Sequence, residues 1–256
     1  MKTGYLSLIY LFFYIPLLIL IVYSFNDAQY SLVWHGATLA WYQELFQDHD
    51  LWIATWHSCY LGLFAASIAT AIGLLAATTL YRYRFIGRHF LNGLVFVLIL
   101  SPEIVIGVSL LILFTVTQLP LGFTSLLLAH ISFCIPFVIV TLYSRLVAID
   151  KNIFDAAKDL GASDWLIFMR ILVPLLMPAI LASWLLSFTL SLDDVIISYF
   201  VAGPEFEILP LRIYSLVRSG IKPELNALCS MLFCVTLLLV VASQLILKKK
   251  HDPLSV

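Results

Sequence analysis

Polar residues in this chain are confined to intervals between long apolar runs, and six such runs follow one another from end to end. They cover about 5–25, 56–80, 90–117, 124–143, 175–200 and 226–247. Each is close to the roughly 20 residues that an α-helix needs to cross a hydrocarbon core. The pattern predicts an all-α polytopic membrane protein of six transmembrane helices, with residues 1–256 forming one membrane domain. An even number of crossings puts both termini on one side. The first run follows Lys2 and could be taken for a signal peptide, but it is long for one and lacks an A-x-A cleavage pattern.

Basic residues orient the predicted spans, because Lys and Arg in short loops mark the cytoplasmic side. Lys2, then Arg82, Arg84 and Arg88, then Arg145, Lys151, Lys158 and Arg170, then Lys248, Lys249 and Lys250 fall on one side. Only Arg212, Arg218 and Lys222 fall on the other. Both termini and the loop 144–170 are therefore expected in the cytoplasm of a bacterial inner membrane protein. The loop after the first span then faces outward. It carries Asp27, Glu44, Asp48 and Asp50 without a Lys or Arg, so its field favours cations.

Composition agrees: 62% of residues are hydrophobic and 11% charged, with a mean hydropathy of +1.03. A net charge of −1 and the lack of a basic stripe argue against nucleic acid as a partner. Cys59, Cys134, Cys229 and Cys234 lie inside predicted spans without a C-x-x-C pair, so neither a disulfide framework nor a metal site is indicated. The six histidines, His130 among them, are scattered, with no H-E-x-x-H or G-x-S-x-G constellation. No G-x-x-x-x-G-K-[ST] phosphate loop occurs either. The chain is expected to be no enzyme and to need no cofactor.

The cytoplasmic loop contains KNIFDAAKDLGASDWLIFMRILVP, too polar at its start to span and too apolar for a free linker. Ile153, Ala157 and Leu160, with Phe154 beside them, give one apolar face to a short helix that Asp150 can cap. Gly161 stops that helix and Ser163 can cap a second one leading into the membrane. From periodicity alone, such a segment lies on lipid headgroups or on a partner protein. The spacing resembles the EAA loop of ABC importer permeases, which reads E-A-A, three residues, Gly, nine residues, I-x-L-P. Here Asp155-Ala156-Ala157, Gly161, Ile171 and Pro174 keep that register, with Asp155 for the usual Glu and Val173 for the Leu. The resemblance implies that Asp155, Ala156, Ala157, Gly161 and Asp164 couple the spans to a separate ATPase subunit.

Three carboxylates, Glu103, Asp193 and Asp194, fall in or at the ends of predicted spans. Each costs about 2.5–3.5 kcal/mol at the centre of an inserting helix, so lipid-facing positions are disfavoured. Neighbouring helical residues point about 100° apart, so Asp193 and Asp194 diverge unless the helix unwinds between them. The acids either pair with polar groups of neighbouring helices or line a path for a flexible polycation. Pro102 can break the helix before Glu103. In the outer loop, Trp41 and Tyr42 serve as cation–π contacts or as interfacial anchors.

The segments YRYRFIGR, LSPEIVIGVSLLILF, HISFCIPFVIVTLYSRL, DAAKDLGAS, SFTLSLDDVIISYFVAGP and EILPLRIYSLVRSGIKPELNAL together resemble the PotC-type permeases of spermidine/putrescine importers. That resemblance implies a type I ABC importer permease (MetI-like) fold. It also implies assembly with a PotB-like second permease, two PotA-like ATPase subunits and a PotD-like periplasmic binding protein. It leads us to expect Glu103, Asp193, Asp194, Trp41 and Tyr42 along the polyamine pathway. A stand-alone cation carrier would also explain intramembrane acids, but not the EAA register.

Overall fold

The computed structural model describes residues 2–27, 33–150, 152–219 and 223–249, and among them the chain is helical without a strand. Lys151, Lys222, Lys250 and the residues after it, which entered the charge pattern, lie outside the described residues. Two compact units form, one from 1–52 with 212–256 and the other from 53–211.

In the first unit, α1 (Lys2–Tyr23) and α2 (Ala40–Gln47) each pack on α12 (Pro223–Lys249). Helix α1 is apolar on every side, with Leu8, Phe12 and Phe13 exposed, as a helix surrounded by lipid chains requires. Short amphipathic α2 buries Leu45. Arg212 opens the second segment of this unit and sits 3.7 Å from Asp48 and 3.9 Å from Asp50. The acid excess expected of the outer loop is therefore partly neutralised, by a residue distant in sequence.

The second unit holds most of α3 (His49–Arg82), then α4 (Arg88–Leu100), α5 (Glu103–Val116) and α6 (Phe123–Val147). There follow α7 (Asn152–Asp159), α8 (Asp164–Ile167), a π-helical turn (Phe168–Leu172), α9 (Val173–Asp193) and α10 (Ile196–Val201). Helix α11 (Leu209–Ser219) begins here as well. Helix α6 is central: α4, α5, α9 and α10 all pack on it, and twelve of its residues are buried. Small residues let helices approach, as expected where apolar burial alone gives no drive for helix association in lipid. A Cβ on Gly73 of α3 would fall 2.5 Å from Val138 Cγ1 of α6. One on Gly107 of α5 would fall 2.7 Å from Phe200 Cδ2 of α10. Ser183, Ser187 and Ser191 form a buried stripe one turn apart along α9.

Two expected spans are not single helices. The run 90–117 divides into α4 and α5, which meet at 111°. Ser101 and Pro102 between them are extended, with ψ of 135° and 133°. Proline has no N–H to continue a helix and pushes the residue before it out of the α region. The run 175–200 divides at Asp194, whose ψ is 118°. Among the described residues, four helices are long and apolar enough to cross a membrane, and the bent pair makes a possible fifth crossing. The apolar part of α12, Glu224–Leu238, is shorter.

Candidate functional site

The two helix breaks bring the intramembrane acids into one neighbourhood. Glu103 is the first residue of α5, Asp193 the last of α9, and Asp194 precedes α10. Helices α5 and α10 pack closely through Gly107, so Asp193 and Asp194 act on Glu103 by Coulomb repulsion. Glu103 and Asp193 are exposed, whereas Asp194 is 6% exposed.

Asp194 owes its burial to hydrogen bonds that only a broken helix offers. Its Oδ2 accepts from the Ser198 backbone N–H at 2.8 Å and the Ser198 hydroxyl at 2.7 Å, and its Oδ1 accepts from the Ile197 N–H at 3.2 Å. The carboxylate thus caps α10 and supplies the acceptor that its first N–H groups need. His130 of α6 joins the two sides of the break: Nδ1 is 2.7 Å from Ser191 Oγ of α9 and Nε2 is 2.9 Å from Ser198 Oγ of α10. Because Ser198 gives its proton to the carboxylate, a neutral imidazole completes the chain with its proton on Nε2 and accepts from Ser191 at Nδ1.

The helix unwinds at Asp194, the exception to the 100° rule for adjacent helical residues, and it leaves Asp193 exposed and Asp194 buried. His130 and the serines were not singled out from sequence. The signal was available as a histidine inside an apolar run, together with serines at four-residue spacing in another.

In the loop 144–170 the helix–turn–helix forms as expected. The Asn152 N–H donates to Asp150 Oδ1 at 3.0 Å, and the Leu166 N–H donates to Ser163 Oγ at 3.3 Å. Gly161 has φ of +80°, and the Ala162 N–H and Gly161 N–H donate to the Ala157 and Lys158 carbonyls at 3.0 and 2.8 Å. This is the paired closure typical of a helix ending on a left-handed glycine. The apolar face divides: Ala157 is buried and Phe154 packs on the core, while Ile153 and Leu160 are exposed. Asp155 and Ala156 are exposed, and Asp164 is bound to Arg82 of α3 in an ion pair.

Trp41 and Tyr42 are half-buried against the end of α1. Trp41 Nε1 donates to the Asn26 carbonyl at 2.9 Å, and the Tyr42 hydroxyl lies 2.7 Å from Ser24 Oγ with its ring 5.3 Å from that of Phe25. Among the described residues no group of His, Cys, Asp and Glu is arranged to hold a metal ion.

Residues 69–249 match the family model of the binding-protein-dependent transport system inner membrane component. The chain belongs to this family. The permease is 50% identical over 250 residues to the "Spermidine/putrescine transport system permease protein PotC" of Escherichia coli (strain K12), covering 98% of this chain and 95% of that one. It is 49% identical to the protein of the same name from Haemophilus influenzae, with 98% of each chain covered. Its fold is also similar to a bacterial alginate ABC transporter solved with a pentasaccharide-bound periplasmic protein, at 16% identity and a TM-score of 0.71 over 94% of this chain and 90% of that one. The permease is thus an inner membrane transporter subunit of the ABC importer type, and the resemblance read from its motifs is borne out.

Proposed function

We propose that this chain is one of the two transmembrane subunits of an ATP-driven importer of polyamines, spermidine or putrescine. The observation that carries this reading is that Glu103 and Asp193 are both exposed at helix breaks which the packing of α5 on α10 brings within electrostatic reach of each other. A linear polyammonium ion can exchange between such carboxylates along its route. The same acids would repel an acidic polysaccharide, so the alginate transporter shares the fold without sharing a cargo.

In this reading the six apolar runs cross the membrane as one domain, with both termini and the loop 144–170 in the cytoplasm. A PotB-like permease completes the pore, and a PotD-like binding protein delivers the cation outside. Two PotA-like ATPase subunits receive the loop through Asp155, Ala156, Ala157, Gly161 and the segment begun by Asp164. ATP-driven closure of those subunits drives alternating access. The outer residues Trp41 and Tyr42 offer their ring faces to the entering cation, their polar atoms being engaged with Asn26 and Ser24 just after α1.

Uptake of radiolabelled spermidine and putrescine in cells lacking the gene, then restored by plasmid, tests the substrate. Uptake that falls and returns supports the reading, and the ratio of the two gives the preference. Unaltered uptake of both, in a strain without a second polyamine system, rejects it.

A further inference from the structure

The segment YRYRFIGR stands out in the sequence, yet neither the substrate path nor the ATPase contact uses it. In the structure it forms one wall of a cleft of about 380 Å³, and the coupling helix α7 forms the other. Arg82, Arg84 and Arg88 come from the α3–α4 side and Lys158 from α7, against the single carboxylate of Asp155. The floor is Tyr81, Phe154 and Leu172.

Two features distinguish the cleft from an ordinary basic surface. Arg82 has a counter-ion in Asp164, but among the described residues Arg84, Arg88 and Lys158 make no ion pair. In addition, Arg88 Nε and the Tyr81 hydroxyl are buried without a hydrogen-bond partner. Buried donors left unsatisfied are costly, and two of them, one on Arg88 itself, beside the unpaired Arg84 and Lys158 call for an anion with several acceptor oxygens. A phosphate group meets that description, since arginine forks match its geometry and a phenol can donate to it.

We infer that this cleft binds a phosphate group and that occupancy ties the α3–α4 turn to the coupling helix. Basic pockets on the cytoplasmic side of membrane proteins lie at headgroup level, so an anionic phospholipid is the source favoured here. The inference rests on the cytoplasmic orientation given above. A failed importer reading leaves no polyamine uptake in any lipid, whereas failure of this inference leaves transport that ignores lipid charge.

The test uses the whole complex in nanodiscs of phosphatidylcholine, the same with added phosphatidylglycerol, and phosphatidylcholine with inorganic phosphate. Retained lipid is counted by native mass spectrometry and substrate-stimulated ATPase activity is followed. Phosphatidylglycerol should be retained and should raise the activity, with the half-maximal fraction rising about fivefold for each charge removed in R84Q and in R84Q/R88Q. Tyr81→Phe, which keeps the ring and every charge, should also weaken retention. A response to inorganic phosphate that needs the same residues keeps the phosphate site but makes a soluble anion its ligand. Equal retention and equal stimulation in wild type and all variants overturns the site. So does loss of ATPase subunits from the R84Q/R88Q complex with no lipid effect, which would give the arginines to a protein carboxylate.

Discussion

His130 Nε2 lies 3.6 Å from Asp194 Oδ2 with both side chains almost fully buried, and Ser198 Oγ bridges them. Adjacent acids in one sequence motif thereby acquire different tasks. Asp194 holds the break between α9 and α10, and Asp193 is left exposed at its edge.

Substitution should separate those tasks. Asp193→Asn and Glu103→Gln should lower polyamine uptake at least tenfold while membrane levels of the complex stay normal, since each removes a charge without removing a cap. Asp194→Ala strips the acceptor from two backbone N–H groups and one hydroxyl, each costing about 1–3 kcal/mol when buried and unpaired. It should reduce the amount of assembled complex, read by immunoblot and thermal denaturation. Normal levels of the Asp194→Ala protein would argue against the capping role.

Gly161 at φ +80° ends α7, the helix proposed to couple to the ATPase. Alanine in that conformation costs about 1–2 kcal/mol, and proline cannot adopt it. Gly161→Ala should weaken, and Gly161→Pro should abolish, the stimulation of ATP hydrolysis by substrate and binding protein. Loss of the Asp155 carboxylate should act in the same direction. Unchanged stimulation in reconstituted complexes would remove the loop from coupling.

The α3–α6 approach at Gly73 leaves no room for a methyl group, whose nearest neighbour would be the Val138 side chain. Gly73→Ala should destabilise the permease by about 1–3 kcal/mol, as overpacking does. Val138→Ala should recover only part of the loss, because it removes Cγ1 at 2.5 Å but leaves Cβ at 2.8 Å. A shift in thermal midpoint for the single variant that the double variant does not even partly recover would locate the strain elsewhere.

The Arg82–Asp164 pair joins α3 to α8, but the Asp164 side chain is 58% exposed. A double-mutant cycle should give a coupling energy below about 1 kcal/mol, falling as salt is added. A larger, salt-insensitive value would mean that the pair is shielded in the assembled complex.

Much of this was legible in the chain because lipid imposes one rule on the backbone, that its polar groups be satisfied within helices. Asp150, Gly161 and Ser163 report local decisions about helix ends, and the structure keeps them, whereas the apolar runs 90–117 and 175–200 are each broken. Pro102 signalled the first break for the same reason. The break at Asp194 was not readable, because no proline or glycine marks it. What stabilises it is a histidine sixty-four positions upstream, reached only after α6 packs on α9. Arg212 beside Asp48 and Asp50 is similar: a loop read as purely acidic meets a cation supplied by distant sequence.

The π-helical turn at Phe168–Leu172 sits between α8 and α9, where the loop becomes the long apolar helix. Such a turn is an α-helix holding one surplus residue, and taking that residue into regular register swivels everything beyond it by about 100° about the helix axis. The swivel point lies at one end of α9 and Asp193 at the other. The azimuth of that carboxylate is thus set by backbone bookkeeping close to the loop.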